Sequence, residues 1–214
     1  MNEPDWGPKR ERGYDSSGRK KNAEEKRDAI LNAARHLFRQ KGFEATTIDA
    51  IAEAASVSAP TVYAAFSSKR GVLKAILNKA RFNAEYEAIV SQVKESTDVI
   101  ERLSFVAAIV RSVYEGERQE MDFLKGSGIV DPEFAAVQNE QEIQRRDRQK
   151  MNIDLLAEKG MLRDGLDVQT ARDLLWTLTS RDVYHMLAVE SGWGPARYQS
   201  WLAVILVEQL TNKR

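Results

Sequence analysis

The stretch from Arg27 to Leu77, RDAILNAARHLFRQKGFEATTIDAIAEAASVSAPTVYAAFSSKRGVLKAIL, decides the fold. Ile30, Ala33, Ala34, Leu37 and Phe38 recur at i, i+3, i+4, i+7 and i+8, the apolar stripe of an amphipathic helix. The spacing predicts a first helix over about 24–40, closed by Lys41 and Gly42. Thr46 and Thr47 offer the next N-cap. Ile48, Ile51, Ala52 and Ala55 then repeat the stripe, so a second helix runs over about 48–55. Ser56-Val57 reads as a tight turn and Ser58 as the cap of a third helix, 59–66. Pro60 is compatible with that helix because first-turn N–H groups have no intrahelical acceptor. Val62, Ala65 and Phe66 face inward. Ser68 caps a fourth helix whose inner face is Leu73, Ile76, Leu77 and Ala80. Two short helices joined by a turn, the second with small outward residues, suit a DNA major groove. Threonine and tyrosine hydroxyls and the Lys69 ammonium suit phosphates.

The order of residues adds a second reading. AAxxLFxxxGF (Ala33 to Phe43), TTxxxIAxAAxVS (Thr46 to Ser58), TVYAAF (Thr61 to Phe66) and Ser68-Lys69 together resemble the DNA-binding domain of the TetR family of bacterial transcriptional regulators. The resemblance covers about fifty residues. It implies an all-α fold of about nine helices: a three-helix DNA-binding head and a larger ligand-binding, dimerising body. It places Thr47, Tyr63 and Lys69 on phosphates, from exposed positions. It places Ser58, Ala59, Pro60, Thr61 and Ala64 on the recognition helix. Two positions depart from the pattern. Ser56 stands where the family usually has glycine, and is expected to share its positive φ. Gly71 stands where an acidic residue often completes a capping box. Both departures predict a slightly less stable head.

Composition sets bounds on the rest. The chain has 214 residues, 43% of them hydrophobic and 30% charged, enough for a core and for solubility. It has no cysteine, which excludes disulfides, thiolate catalysis and cysteine-ligated metals. No apolar run approaches the roughly 18 residues of a membrane span. The amino terminus MNEPDWGPKRERGYDSSGRKK lacks a signal-peptide core, so a cytoplasmic protein is expected. Net charge is zero, but residues 1–80 hold 15 Lys/Arg against 10 Asp/Glu, and the remainder is acidic. A basic head on an acidic body is compatible with DNA binding.

Working outward, residues 1–22 read as a disordered basic arm, 23–82 as the DNA-binding domain and 83–214 as the body. The fourth helix is expected to continue to about Val90, a fifth to span 99–115, and a short sixth to end at Gly126-Ser127-Gly128. A long helix follows Asp131-Pro132. Its polar middle, QNEQEIQRRDRQK, reads as a solvated face with internal ion pairs rather than a second nucleic-acid patch. A penultimate helix is expected over 167–190. The last helix, from Pro195, carries LAVILV (Leu202 to Val207), apolar all round. Such a helix must be covered on every face: one face can pack on its own body and the other needs a second copy of the chain, the alternative being a completely internal core helix. Trp201, Leu202, Ile205 and Leu206 are the expected dimer contacts.

Catalytic chemistry is scarce. Two histidines and no cysteines make a transition-metal site improbable, and there is neither a phosphate loop nor a nucleophile elbow. No cofactor and no enzymatic activity are expected. The body's large apolar groups, among them Phe82, Tyr86 and Met121, serve either as core or as cavity lining. The residues expected to hold a small apolar or aromatic ligand are Phe105, Ile109, Phe123, Phe134, Gln138, Trp176, Ser180 and Tyr184. The sequence thus reads as a DNA-binding transcriptional regulator, a ligand-responsive repressor that binds a palindromic operator on double-stranded DNA as a homodimer. The alternative is a helical adaptor that no longer reads DNA.

Overall fold

A computed structural model describes residues 16–125 and 132–213, except for the side chains of 16, 17, 19, 119, 121–125, 133 and 134. Ten α-helices follow one another: α1 (Ser16–Lys41), α2 (Ile48–Ala54), α3 (Ala59–Phe66), α4 (Lys69–Arg81), α5 (Ala84–Glu95), α6 (Val99–Lys125), α7 (Pro132–Glu158), α8 (Val168–Leu178), α9 (Arg181–Tyr184) and α10 (Pro195–Leu210). A π-helical segment, His185–Glu190, lies between the last two. The described residues contain no strand, only an isolated bridge between Leu162 and Thr211. No helix among them is long and apolar enough to cross a membrane.

The apolar stripes build two cores. Ile30, Ala34, Leu37 and Phe38 of α1 meet Ile48 and Ile51 of α2, Val62 and Phe66 of α3, and Val72, Leu73, Ile76 and Leu77 of α4. Val137 from α7 is fully buried in this same core. The second core joins Leu103, Ala107 and Val110 of α6, Ile153 and Leu156 of α7, Leu175 of α8, and Tyr198, Leu202, Leu206 and Leu210 of α10.

The turns of the head follow from their hydrogen bonds. Val57 N donates to Ala52 O and Ser56 N to Glu53 O, the crossed pair of a Schellman cap. That motif needs a left-handed residue just past the helix, and Ser56 has φ 54°, the value expected from its place in the pattern. Thr47, Ser58 and Ser68 cap α2, α3 and α4 by accepting from Ala50 N, Thr61 N and Gly71 N. Between α3 and α4, Ser68 N donates to Phe66 O around Ser67, whose φ is 66°, a strained γ-turn. The turn folds α4 so tightly against the end of α3 that a Cβ at Gly71 would lie 1.8 Å from Phe66 O. Gly71 is therefore required by the turn, which corrects its reading as a missing capping box.

Several boundaries differ from expectation. Residues 16–22 belong to α1 rather than to an arm; residues 1–15 lie outside the described residues, as do Gly126-Ser127-Gly128 and Asp131. α4 stops at Arg81 because Asn83 caps α5, its side chain accepting from Tyr86 N. α6 runs unbroken to Lys125, through Gly116 and past the end expected at about residue 115. The expected penultimate helix is broken after Leu178, where Ser180 caps α9 by accepting from Val183 N. α10 is not internal: Tyr198, Leu202, Leu206 and Leu210 are fully buried at four-residue spacing, while Val204 on the opposite side is 57% exposed.

These turns generate a paired expectation. Ser56→Gly relieves a left-handed L-residue and should leave stability unchanged or raise it by up to about 1 kcal/mol. Gly71→Ala must displace the Phe66 carbonyl and should cost about 1–3 kcal/mol. Urea denaturation followed by circular dichroism measures both.

Candidate functional site

The outer surface of the helix-turn-helix is small and polar. Val62 and Phe66 anchor α3 inward, leaving Ser58, Pro60, Tyr63 and Ala64 exposed and Ala59 and Thr61 half-exposed. Tyr63 is 53% exposed. The Ser58 and Thr61 hydroxyls lie 2.8 Å apart, so the cap and the first turn present one hydroxyl pair. Thr47 sits exposed at the start of α2, where first-turn N–H groups suit an anion. The far end of α3 is held by Arg27 of α1, whose guanidinium donates to Ala65 O at 2.9 Å and lies over the Phe66 ring.

Lys69 differs from its expected exposed setting. Its ammonium donates to Phe43 O at 2.8 Å and Glu44 O at 3.2 Å, and lies 4.3 Å from the centre of the Phe43 ring. It fastens the loop between α1 and α2 to the start of α4. One ammonium hydrogen is left for a phosphate.

A cavity of about 150 Å³ opens in the body. One wall is apolar: Phe82 and Tyr86 at the α4–α5 junction, and Val106, Ile109, Val110, Val113 and Tyr114 from α6. The opposite wall is a polar stripe of α7: Gln141, Arg145, Arg148, Gln149 and Asn152, with Glu142 beside it. Their spacing of i, i+4, i+7, i+8 and i+11 keeps one helix face on the cavity. Arg145 donates to Trp176 O and Thr179 O, satisfying carbonyls at the end of α8, and pairs with Glu142. Burial pushes the Glu142 carboxyl up, but hydrogen bonds from Arg145 and the Trp176 indole outweigh it and hold the group below the usual carboxylate range. Burial pushes the Tyr114 hydroxyl up; it donates to Thr179 O.

The cavity touches the helix that leads to the head. Arg81, the last residue of α4, lines it and pairs with Glu117 of α6, whose side chain is fully buried. Glu117 also accepts from Arg181 at 2.8 Å. Burial pulls the Arg81 guanidinium down and the Glu117 charge opposes that. One residue before Glu117, a Cβ at Gly116 would lie 2.2 Å from Ala80 O, so α6 and α4 cross at backbone contact. One turn further along α6, Glu120 lies 2.7 Å from Arg35 and 3.7 Å from Arg39 of α1. The Arg35 contact is an ion pair off the line of a hydrogen bond. On α7, Gln141 donates to Asn78 of α4 at 3.3 Å.

Residues 30–76 match the family model described as bacterial regulatory proteins, tetR family. The repressor ComR of Escherichia coli K12 is 45% identical over 64 residues, which span 29% of this chain and 30% of ComR. The uncharacterized HTH-type regulator YdeS of Bacillus subtilis is 32% identical over 150 residues, 69% of this chain and 73% of YdeS. The chain belongs to the TetR family. It is a DNA-binding transcriptional regulator. The fold is shared along most of its length with NalD of Pseudomonas aeruginosa, the secondary repressor of the MexAB-OprM efflux pump, at a TM-score of 0.68 and 22% identity, covering 90% of this chain and 98% of NalD.

Within this TetR-type body the expected ligand residues scatter. Ile109 lines the cavity. Gln138, Trp176 and Ser180 line a separate, open depression with Arg181. Phe105 is half-buried and lines neither. Tyr184 sits behind the wall, its ring 5.4 Å from that of Tyr114 and 4.9 Å from that of Tyr198. The side chains of Phe123 and Phe134 lie outside the described residues. The polar stripe of α7 was missed, although its helical spacing was readable; nothing in the sequence alone said that this face looked inward.

Three variants have distinct expected outcomes. Lys69→Ala should lower stability by about 1–2 kcal/mol as well as weaken DNA binding, because it frees two carbonyls; Tyr63→Phe should weaken DNA binding and leave the melt unchanged. Glu117→Ala should cost about 3–5 kcal/mol by leaving Arg81 buried without its partner. Thermal and urea melts, run beside a DNA-binding titration, separate the three.

Proposed function

We propose that the protein is a dimeric, ligand-responsive repressor that sets the tip of α3 into the major groove of each half of a palindromic operator. The observation that carries this reading is the outer face of α3. It is an exposed row of small and hydroxyl side chains on a helix whose opposite face is locked into the head core. Ser58, Ala59, Pro60, Thr61 and Ala64 meet base edges and sugars. Thr47, Tyr63 and the remaining hydrogen of Lys69 meet phosphates.

Dimerisation rests on α10. Its inner stripe is filled by its own body, and its outer stripe centres on exposed Val204, flanked by half-buried Trp201, Ala203, Ile205 and Val207. Met186 and Val189 of the π-helical segment, 50% and 41% exposed, add to the apolar surface of the C-terminal region. A second copy of the chain covers this surface. Leu202 and Leu206, among the residues expected at the dimer contact, belong instead to the intrachain core.

Regulation rests on the cavity at the end of α4. A molecule lodged against Phe82, Tyr86 and Ile109 presses on the junction through which α4 carries the head. Differential binding of this kind couples ligand and operator by about 1–3 kcal/mol.

Binding-site selection with the full chain tests the reading: the recovered sequences should be two-fold symmetric, with half-sites about one helical turn or a multiple of it apart. Val204→Asp should yield folded monomers with collapsed operator affinity, whereas Leu202→Asp should unfold the body. Analytical ultracentrifugation and circular dichroism distinguish the two. A wild-type monomer at micromolar concentration that binds a palindrome tightly would contradict the dimer.

A further inference from the structure

The charges around the cavity do not cancel. Arg81 is paired with Glu117, which also holds Arg181, and Arg145 with Glu142. Arg148 also lines the cavity, from an exposed position on α7, and has neither an acidic partner nor a hydrogen bond among the described residues. One uncompensated cation therefore stands at the rim, across from the apolar wall of Val106, Ile109, Val110 and Val113. An apolar interior and a free cation at the mouth form an amphipathic receptacle.

We propose that the cavity binds an organic monoanion with an apolar body, its carboxylate or equivalent acid at Arg148 and its chain or ring against Ile109, Val110 and Tyr86. This deepens the reading of the cavity as the effector site and rests on it. The guanidinium receives the anion where water still reaches it, so its desolvation is partial, and the apolar body replaces cavity water within. A neutral molecule of the same shape loses the charge-assisted hydrogen bonds, and a cation of the same shape meets Arg148 as a like charge.

The test compares three probes of one chain length, octanoate, 1-octanol and octyltrimethylammonium, by calorimetric titration of the full-length protein and of Arg148→Gln and Tyr86→Ala. Octanoate should bind wild type about tenfold tighter than octanol, the scale of a charge-assisted hydrogen bond, and tighter still than the cation. In Arg148→Gln, octanoate and octanol should come within about twofold of each other. In Tyr86→Ala all three should weaken together while octanoate keeps its lead. Equal affinities in wild type, an anion preference that survives Arg148→Gln, or no binding of any probe would each overturn the proposal. Operator binding by the same preparations without probe is measured alongside. Absence of an anion preference in the wild-type protein, with operator binding intact, refutes the anion site and leaves the repressor reading standing, whereas absent operator binding refutes that reading itself.

Discussion

A single buried carboxylate fixes how the head sits on the body. Glu117 has no contact with solvent, and a carboxylate in that position persists only when cations and hydrogen bonds replace water. Arg81 and Arg181 supply them from α4 and α9. The geometry that brings Arg81 within reach depends in turn on Gly116, because any side chain there would collide with the Ala80 carbonyl. Glycine and glutamate, adjacent on α6, thus act as one unit: the first permits the close crossing and the second charges it. The value of such a pair lies in register more than in net stability, since well-packed apolar groups would hold the helices together as strongly. Sliding α4 along α6 leaves a charge buried and unpaired, so the head has few intermediate positions open to it.

The head was legible in the sequence because its determinants are local. Each cap is a hydroxyl three residues before the N–H it accepts, and Ser56 takes a left-handed conformation because the Schellman bonds of Val57 and Ser56 demand it. The body was less legible because its determinants are contacts between distant helices. Gly116, just past the expected end of its helix, has no evident role in the sequence until the carbonyl of Ala80 is seen beside it. The break after Leu178 depends on Arg145, 33 positions earlier, arriving to take the carbonyls of Trp176 and Thr179. α10 looks uniformly apolar; that one face packs on its own body and the other is left over is legible, but only the structure says which residues fall where, with Leu202 and Leu206 inside and Val204 outside.

The polar middle of α7 shows why composition misleads at a cavity. A helix rich in Gln, Arg and Glu ordinarily faces water. Here Gln141 and Gln149 are buried, and Arg145 is largely covered, tied into the end of α8. The apolar half of the cavity comes from α6, together with Phe82 and Tyr86; of the α6 residues expected to hold a ligand, Ile109 lies on it and Phe105 does not. A void bounded by one greasy helix and one hydrogen-bonding helix has directionality, which a wholly apolar hole does not.

Val137 gives the molecule a property that its chain order conceals. It lies more than fifty positions after the end of α4, yet it is fully buried among the side chains of the head. The core of the head is therefore discontinuous in sequence, completed by a residue that arrives only after α5 and α6 have been made. During synthesis on the ribosome the first four helices emerge before the side chain that completes their core, and the close packing of the DNA-reading element is finished by the same helix that walls the cavity. The core of the reader and the wall of the cavity thus share one helix.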